Sequence, residues 1–515
     1  MPFLTSPIAW ITGIPEPTLR LLMTLGLAYP IARVYNQMYI RGKGPIVSAA
    51  TVTERNMFIL LAGLGLSLFF NGSTIYHSLI TVAVSYGVLY LNERFMPQNR
   101  LYGAAAVWGF NAIYLLAGYY FTATDEYDVS WTMPQCILCL RLMGFGFDYY
   151  DGATSVVKVE GPEATKKAEE ATDHQTTVRP TEKVKPPSNL PLSFASDTPL
   201  AILPDFSQVL AYCYFPSAFL VGPQFSFSLY RKWLSTTPLQ EEGNAVAQEE
   251  AEKDQMRYVF RCLGLAVVYL AIQQGIGGNY PTSYLLTDEY ASLGLLRRIW
   301  IFMVTGKFVY NKYIGVWMLT EGACAYFGIS YEGKDGQGRH LFGGLANALP
   351  LQFETSTSID HVIGSFNINT NLWVKYYVFK RLKFLGNKQL SQFGALAFLA
   401  IWHGFHINYF TTFFCEFSVT LCESVLRKRL LPTVQTYTKS NAIALVAWKV
   451  VAWCTCSASL HYCVVQFDLL KASKAFIAYK NVYFLGHFIL LGIFLVDKFV
   501  LRPVVRTPKD KVKAN

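Results

Sequence analysis

The chain has 515 residues, of which 52% are hydrophobic and 15% charged, with a net charge of +10 and a mean hydropathy of +0.27. A soluble protein of this length carries about a quarter charged residues, and uncharged apolar stretches recur here from end to end, which excludes one large water-soluble core and implies a polytopic membrane protein. The basic excess is local: Trp373–Lys388 holds five basic residues and no acidic one, and Arg427–Arg429 adds three more, a pattern of the cytoplasmic membrane side and not of a nucleic-acid surface.

Neither end resembles a cleaved secretory signal, so the first spans are expected to act as insertion signals. Candidate spans in chain order are Arg20–Ile40, Met57–Asn71, Ser73–Leu91, Tyr102–Phe121, Leu210–Leu229 and Tyr258–Ile276, then Trp300–Phe327, Gln389–Phe417, Ala442–Val465 and Val482–Leu501. Pro134–Tyr149 and Ile363–Phe379 are too short or too polar to be read as crossings. The expected fold class is therefore all-α, with about ten or eleven transmembrane helices in a single membrane-embedded domain over residues 1–515.

Two stretches read as aqueous loops. Lys158–Lys185, with six basic and six acidic residues among Pro, Thr and Glu, cannot bury enough surface to order itself, and the loop is drawn at 155–195. A second, partly helical one is drawn at 235–256, and the basic tail 502–515 is expected in the cytosol. Lys511 and Lys513, fifth and third from the end, look like the dilysine retrieval signal of endoplasmic reticulum membrane proteins. The sequon at Asn71 abuts an apolar run and is as readily a chance match as a used glycosylation site.

Within Tyr212–Tyr230, Pro216, Gly222 and Pro223 interrupt an apolar run; the break either kinks one helix or shapes an acyl tunnel. From Gln389 to Cys415 the chain runs 27 residues without Asp, Glu, Lys or Arg, read as one crossing helix with His403 at its midpoint. Polar groups at membrane depth are costly and tend to have a job. His403, His406, Asn408 and Tyr409 would form a polar stripe there, with Gly404 removing bulk beside the imidazole. A low-dielectric surrounding favours the neutral ring, the form that accepts a proton, which suits a general base acting on a hydroxyl.

Upstream lies "SFNINTNLWVKYYVFKRLKFLGNK", Ser365–Lys388. If helical, it puts Asn367 and Asn371 on one face with Asn369 turned away. An amide orients a hydroxyl or supports an oxyanion without bringing net charge into the bilayer, although such residues also serve as helix caps. Lys375, Lys380, Arg381 and Lys383 alternate with Trp373, Tyr376, Tyr377 and Phe379, a collar suited to anionic headgroups or to the phosphates of an acyl-CoA.

Trp402-His403-Gly404 in a long apolar run, Asn408-Tyr409 after it, and the Phe366–Lys388 block before it resemble the membrane-bound O-acyltransferase family. The resemblance implies a multi-helix fold enclosing a reaction chamber and transfer of an acyl chain from acyl-CoA, as co-substrate, to the sn-2 hydroxyl of a lysophospholipid. On it the catalytic histidine falls on His403 and its asparagine partner on Asn367. Asn369, Asn371, Trp373, Lys375, Lys380, Arg381, Lys383, Trp402, His406 and Tyr409 are the expected substrate contacts. One departure, Ile407-Asn408 where many members show Pro-Gly, bears on the acceptor more than on the reaction.

No metal or permanently bound cofactor is implied. Cys136-Ile-Leu-Cys139 and Cys454-Thr-Cys456 lack the second pair a zinc site needs, and a di-iron desaturase needs clustered histidine boxes where this chain offers one tight pair, His403 and His406, among eight histidines. A transporter using His403 as a proton relay is the non-enzymatic alternative, weakened by the lack of any internal repeat. The oligomeric state, homodimer included, stays open.

Overall fold

A computed structural model describes residues 2–41, 47–122, 124, 129–157, 192–194, 198–237 and 245–502. The loop at 155–195 lies almost wholly outside these residues, as do 238–244 of the second loop and the tail beyond Arg502 with its two lysines.

The described chain is built of helices: α1 (Pro2–Thr12), α2 (Glu16–Tyr39), α3 (Ala49–Asn71), α4 (Ile75–Phe95), α5 (Arg100–Thr122) and α6 (Thr132–Val157). They continue with α7 (Phe206–Cys213), α8 (Phe227–Leu234), α9 (Ala245–Gly275) and α10 (Leu295–Phe327), then α11 (Lys388–His403), α12 (Ile407–Thr438), α13 (Ala442–Leu469), α14 (Ala472–Asn481) and α15 (Leu485–Val496). Strands among the described residues are confined to the hairpin Gly333–Lys334 and His340–Leu341. Four stretches, Ala49–Phe95, Arg100–Thr122, Gln248–Leu286 and Ala442–Leu469, are long and apolar enough to cross a membrane, and the bent pair Ala472–Asn481 and Leu485–Leu501 makes a fifth candidate. Helix α10, at 33 residues, is long enough but carries Lys307, Lys312 and Glu321 along its length, which lowers its mean hydropathy.

The contacts divide the chain into two compact units. The first comprises Met1–Phe121, Val129–Gly264 and Trp317–Asn347. Its core is a wall of rings: Tyr35 stacks on Trp233 at 5.1 Å, and Phe215 meets Trp233 edge-on at 5.4 Å and Phe327 at 5.2 Å. Pro134–Tyr149, expected to fall short of a crossing, belongs to the 26-residue helix α6 and is almost entirely buried. Gln135, Arg141 and Asp148 lower its hydropathy, yet all three are buried.

The expected span Leu210–Leu229 is not a helix. Helix α7 ends at Cys213, and irregular backbone runs to Ser226 before α8 begins. The break is neither a kinked helix nor an unsatisfied loop, because Arg141 donates to the carbonyls of Tyr212 (2.7 Å), Cys213 (3.3 Å), Ala218 (2.9 Å) and Pro223 (3.3 Å). The guanidinium also lies over the rings of Phe225 and Tyr212. Buried backbone needs such partners where helical bonding stops. Helix α3 packs directly on this segment: a Cβ on Gly63 would sit 1.8 Å from the carbonyl oxygen of Tyr214.

The second unit comprises Thr122–Asp128, Leu265–Val316 and Ala348–Asn515. Ion pairs fasten its helices to one another at several points among the described residues. Glu354 takes Lys307 at 2.5 Å and the Tyr269 hydroxyl at 2.8 Å. Asp468, near the end of α13, takes Lys312 at 2.5 Å and the Thr282 hydroxyl at 2.7 Å. Arg429 of α12 meets Asp497 at 3.1 Å with both side chains 4% exposed, and Arg502 meets the other oxygen of Asp497 at 2.7 Å.

Candidate active site

The site residues lie in the second unit, and the local sequence explains where the chain bends around them. Asn387 starts α11 by accepting from the backbone nitrogens of Gln389 (2.9 Å) and Leu390 (3.2 Å), satisfying two donors of the first turn. The helix ends at His403, because Gly404 takes φ +126°, a conformation that only glycine adopts without strain. His406 stands at the cap position of α12. The run from Gln389 to Cys415 is thus two helices joined at a tight break, not the single crossing expected from its composition. Phe393 of α11 and Phe417 of α12 have their rings 6.2 Å apart, so the two helices run back along one another.

This corrects the expected polar stripe. Asn408 turns its amide away to donate to the carbonyl of Lys471 (3.0 Å) and is 1% exposed, a structural tie and not a site group. His403 and Tyr409 instead meet across the break, with ring centroids 5.5 Å apart. The imidazole is walled by Trp402 at 4.6 Å, by Phe413 stacked at 5.6 Å, and by Phe467 edge-on at 4.9 Å and 86°. His406 packs edge-on to Tyr409 at 5.8 Å. Among the described residues no hydrogen bond reaches a ring nitrogen of His403, which leaves both nitrogens available for proton transfer.

Beside this wall, α11 and α12 form a half-open apolar groove of about 290 Å³ lined by Phe393, Leu396, Ala397, Ala400, Phe413 and neighbours, with Thr411 as its polar member. Ala397 and Ala400, a turn apart on α11, make the room. The space is apolar and fits hydrocarbon.

The asparagines separate into different roles. Asn367 precedes the short helix Ile368–Val374 with φ 49° and ψ 43°, a left-handed conformation that asparagine tolerates better than other residues with a Cβ. The segment before it is fixed by a backbone bond from Leu349 to Ser365 (2.9 Å) and by Glu423 of α12, which accepts from the backbone nitrogen of Ile359 (2.8 Å). Asn371 does not share Asn367's orientation: its amide donates to the carbonyls of Phe366 (2.9 Å) and Ile363 (3.3 Å) and closes the turn that holds Asn367. Asn369 is 1% exposed. Trp373, 2% exposed, stacks on Phe398 of α11 at 5.6 Å and links the asparagine turn to the helix that carries His403.

After Val374 the chain passes through a π-turn, Lys375–Phe379, and a 3₁₀ turn, Arg381–Leu385. Lys375, Lys380 and Lys383 are exposed and Arg381 partly buried, with the Lys380 ammonium 3.8 Å over the Tyr376 ring. Burial, then the like charges of Lys375 and Lys383, hold the Lys380 pKa below the ordinary lysine range. A cluster of cations that repel one another is relieved by an anion.

Sequence reasoning missed Phe413, Phe467, Thr411 and Gln466. The Ala397/Ala400 pair was a readable sign of a space between helices; nothing in composition set Phe467 apart from other phenylalanines. Among the described residues no group of three or more metal-ligating side chains occurs.

A family model described as MBOAT, the membrane-bound O-acyltransferase family, matches residues 116–464. The chain is 34% identical to lysophospholipid acyltransferase 5 of Drosophila melanogaster over 92% of this chain and 85% of that one. It is 31% identical to lysophospholipid acyltransferase 5 of Homo sapiens over 97% and 92%. A lysophospholipid acyltransferase of Schizosaccharomyces pombe is 24% identical over 72% and 67%. With a family match across most of its length, and with the Trp402-His403-Gly404 break at the centre of its aromatic wall, the chain belongs to the membrane-bound O-acyltransferase family of multi-pass acyltransferases.

Proposed function

We propose that the chain is a lysophospholipid O-acyltransferase that moves a fatty acyl group from acyl-CoA to the free sn-2 hydroxyl of a lysophospholipid, lysophosphatidylcholine foremost, with the ethanolamine and serine lysolipids also accepted. The observation that carries it is the His403 imidazole, held among four rings at a helix break beside a half-open apolar groove. His403 takes the proton of the acceptor hydroxyl as its oxygen attacks the thioester carbon. The carbon–sulfur bond breaks, and the thiolate of CoA leaves with that proton as free thiol. Asn367 orients the reacting groups; its place outside the helix, in a turn that the Asn371 amide is spent on closing, supports choosing it over Asn371.

The basic turns Lys375–Lys383 receive the phosphates of CoA, with Trp373, Trp402, His406 and Tyr409 around the substrates. Lys388 at the start of α11 and Arg427–Arg429 along the antiparallel α12 supply positive charge at one end of the hairpin, and Arg502 is joined to Arg429 there through Asp497. By the positive-inside rule that end is cytosolic, which also sends the tail into the cytosol. The setting we assign is the endoplasmic reticulum membrane, in a single multi-pass domain.

The test is purified protein with labelled acyl-CoA and a panel of lysolipid headgroups. Diacyl phospholipid and an equal amount of free thiol are expected, and a carrier forms neither. His403→Ala lowers turnover by about a hundredfold to ten-thousandfold, the span of a lost general base, with the folded fraction unchanged. Asn367→Ala cuts turnover sharply, while Asn369→Ala retains most of it. An active His403→Ala enzyme overturns the mechanism.

A further inference from the structure

His403 is the last residue of its helix, followed by a glycine, and no described hydrogen bond orients its ring. A base misplaced by about 1 Å loses about a hundredfold in rate, so packing must do here what a carboxylate or carbonyl partner does for other catalytic histidines. Three of the four rings around it come from α11 and α12 themselves. The fourth, Phe467, comes from α13 and meets the imidazole edge-on at 4.9 Å, the favoured approach of a positive ring edge to a π face. It also packs on Tyr409 at 4.7 Å.

The residues either side of Phe467 are fastened in several directions. Gln466 accepts from the Thr411 hydroxyl of α12 at 2.8 Å. Asp468 uses one carboxylate oxygen for Lys312 of α10 and the other for Thr282. Leu470 takes φ 58°, is 3% exposed and packs with Ala400 and Tyr409, and the carbonyl of Lys471 receives Asn408. A leucine in the left-handed region persists only where its surroundings over-determine it. One helix end thus carries fixed attachments to α10, α12 and the turn at Thr282, and between them it holds a single ring against His403.

We infer that Gln466–Lys471 is the positioning element of the base: Phe467 fixes the imidazole, and Asp468 fixes Phe467 through Lys312 and Thr282. The inference rests on His403 being the base, and nothing in it requires Phe467 or Asp468 to touch substrate. A part that only positions acts on turnover and not on substrate affinity, and two members of one positioning chain do not add.

The experiment compares Thr282→Val, Asp468→Asn, Phe467→Leu and the Asp468→Asn/Phe467→Leu double variant as full-length protein in detergent, each checked for monodispersity. For Asp468→Asn and Phe467→Leu, kcat falls about tenfold while KM for acyl-CoA and for lysophosphatidylcholine stays within about twofold. The double variant is no more than about threefold below the lower single one, and Thr282→Val loses about threefold. Wild-type kcat in the folded single variants, KM rising in step with the loss of kcat, or fully multiplying effects in the double overturns the inference. If Phe467→Leu does not fold, Thr282→Val and Asp468→Asn are held to the same criteria. His403→Ala run alongside separates the two failures: an inactive His403→Ala with unaffected Asp468→Asn and Thr282→Val defeats only the positioning role, whereas an active His403→Ala defeats the base itself.

Discussion

Two interrupted apolar runs, one in each unit, behave in opposite ways. At Tyr214–Ser226 the helix stops and the freed carbonyls are gathered by one buried guanidinium, so that Arg141 substitutes for the lost helical bonding. At Gly404–His406 the helix stops and restarts within three residues, so little backbone is orphaned. What this second break exposes is a side chain: an imidazole at a helix end, ringed by aromatics and lacking a described hydrogen bond. Where the carbonyls freed at a break in apolar sequence are gathered by a buried side chain, the break is architecture. Where a titratable side chain stands at the break beside an apolar groove, it is a candidate for chemistry.

The sharpest way to break that contrast is at Arg141. Each buried carbonyl left unpaired costs about 1–3 kcal/mol, against a folding stability of about 5–15 kcal/mol, and Arg141→Met orphans several at once. It is expected to abolish recovery of monodisperse protein in size-exclusion chromatography, whatever substrate is present. Gly404→Ala probes the other break. The imposed φ of +126° costs a residue with a Cβ about 1–3 kcal/mol, which a turn of this size absorbs by shifting. The protein is expected to stay folded while acyl transfer falls by about tenfold to a hundredfold, since the turn that moves is the one that aims the imidazole. Gly404→Ala with full activity, or Arg141→Met with a sound fold, removes the distinction between the two breaks.

Much of this was legible in the sequence, though unevenly. A histidine and a tryptophan–glycine frame in an uncharged run marked His403 as the centre, because a titratable group in such a place is unusual. The break at that histidine was not legible, since 27 uncharged residues have the same composition whether they cross once or fold back, and Gly404 looked like relief of bulk when it is the turn itself. Helix α6 reads as too short or too polar to cross, and it is not among the described stretches long and apolar enough to do so; that its Arg141 and Asp148 are buried is visible only in three dimensions. Asn371 was placed beside Asn367 by helical spacing, which fails here because Asn367 lies outside the helix in a left-handed conformation. Phe467 was out of reach altogether, because contact with a ring far along the chain leaves no local mark.

The smallest expected effects are at the basic turns, where charge and not geometry is at stake. Lys380 is held below the ordinary lysine range by burial and by Lys375 and Lys383, so on raising the pH it loses its proton earlier than an exposed lysine does. A bound anion favours the protonated form and delays that loss. If these turns receive the phosphates of CoA, KM for acyl-CoA rises with pH below the range in which an ordinary lysine titrates, while KM for the lysolipid acceptor does not follow. Lys380→Met removes most of that pH dependence and raises KM for acyl-CoA at neutral pH by about two- to fivefold, the worth of one partly screened charge pair. Lys375→Met removes a like charge, so the Lys380 pKa moves back up and the rise begins at higher pH. Added salt flattens all three profiles, because exposed charges lose their reach as the screening length shortens. A KM for acyl-CoA that ignores pH, salt and both substitutions assigns these lysines to lipid headgroups and leaves His403 and its aromatic wall untouched.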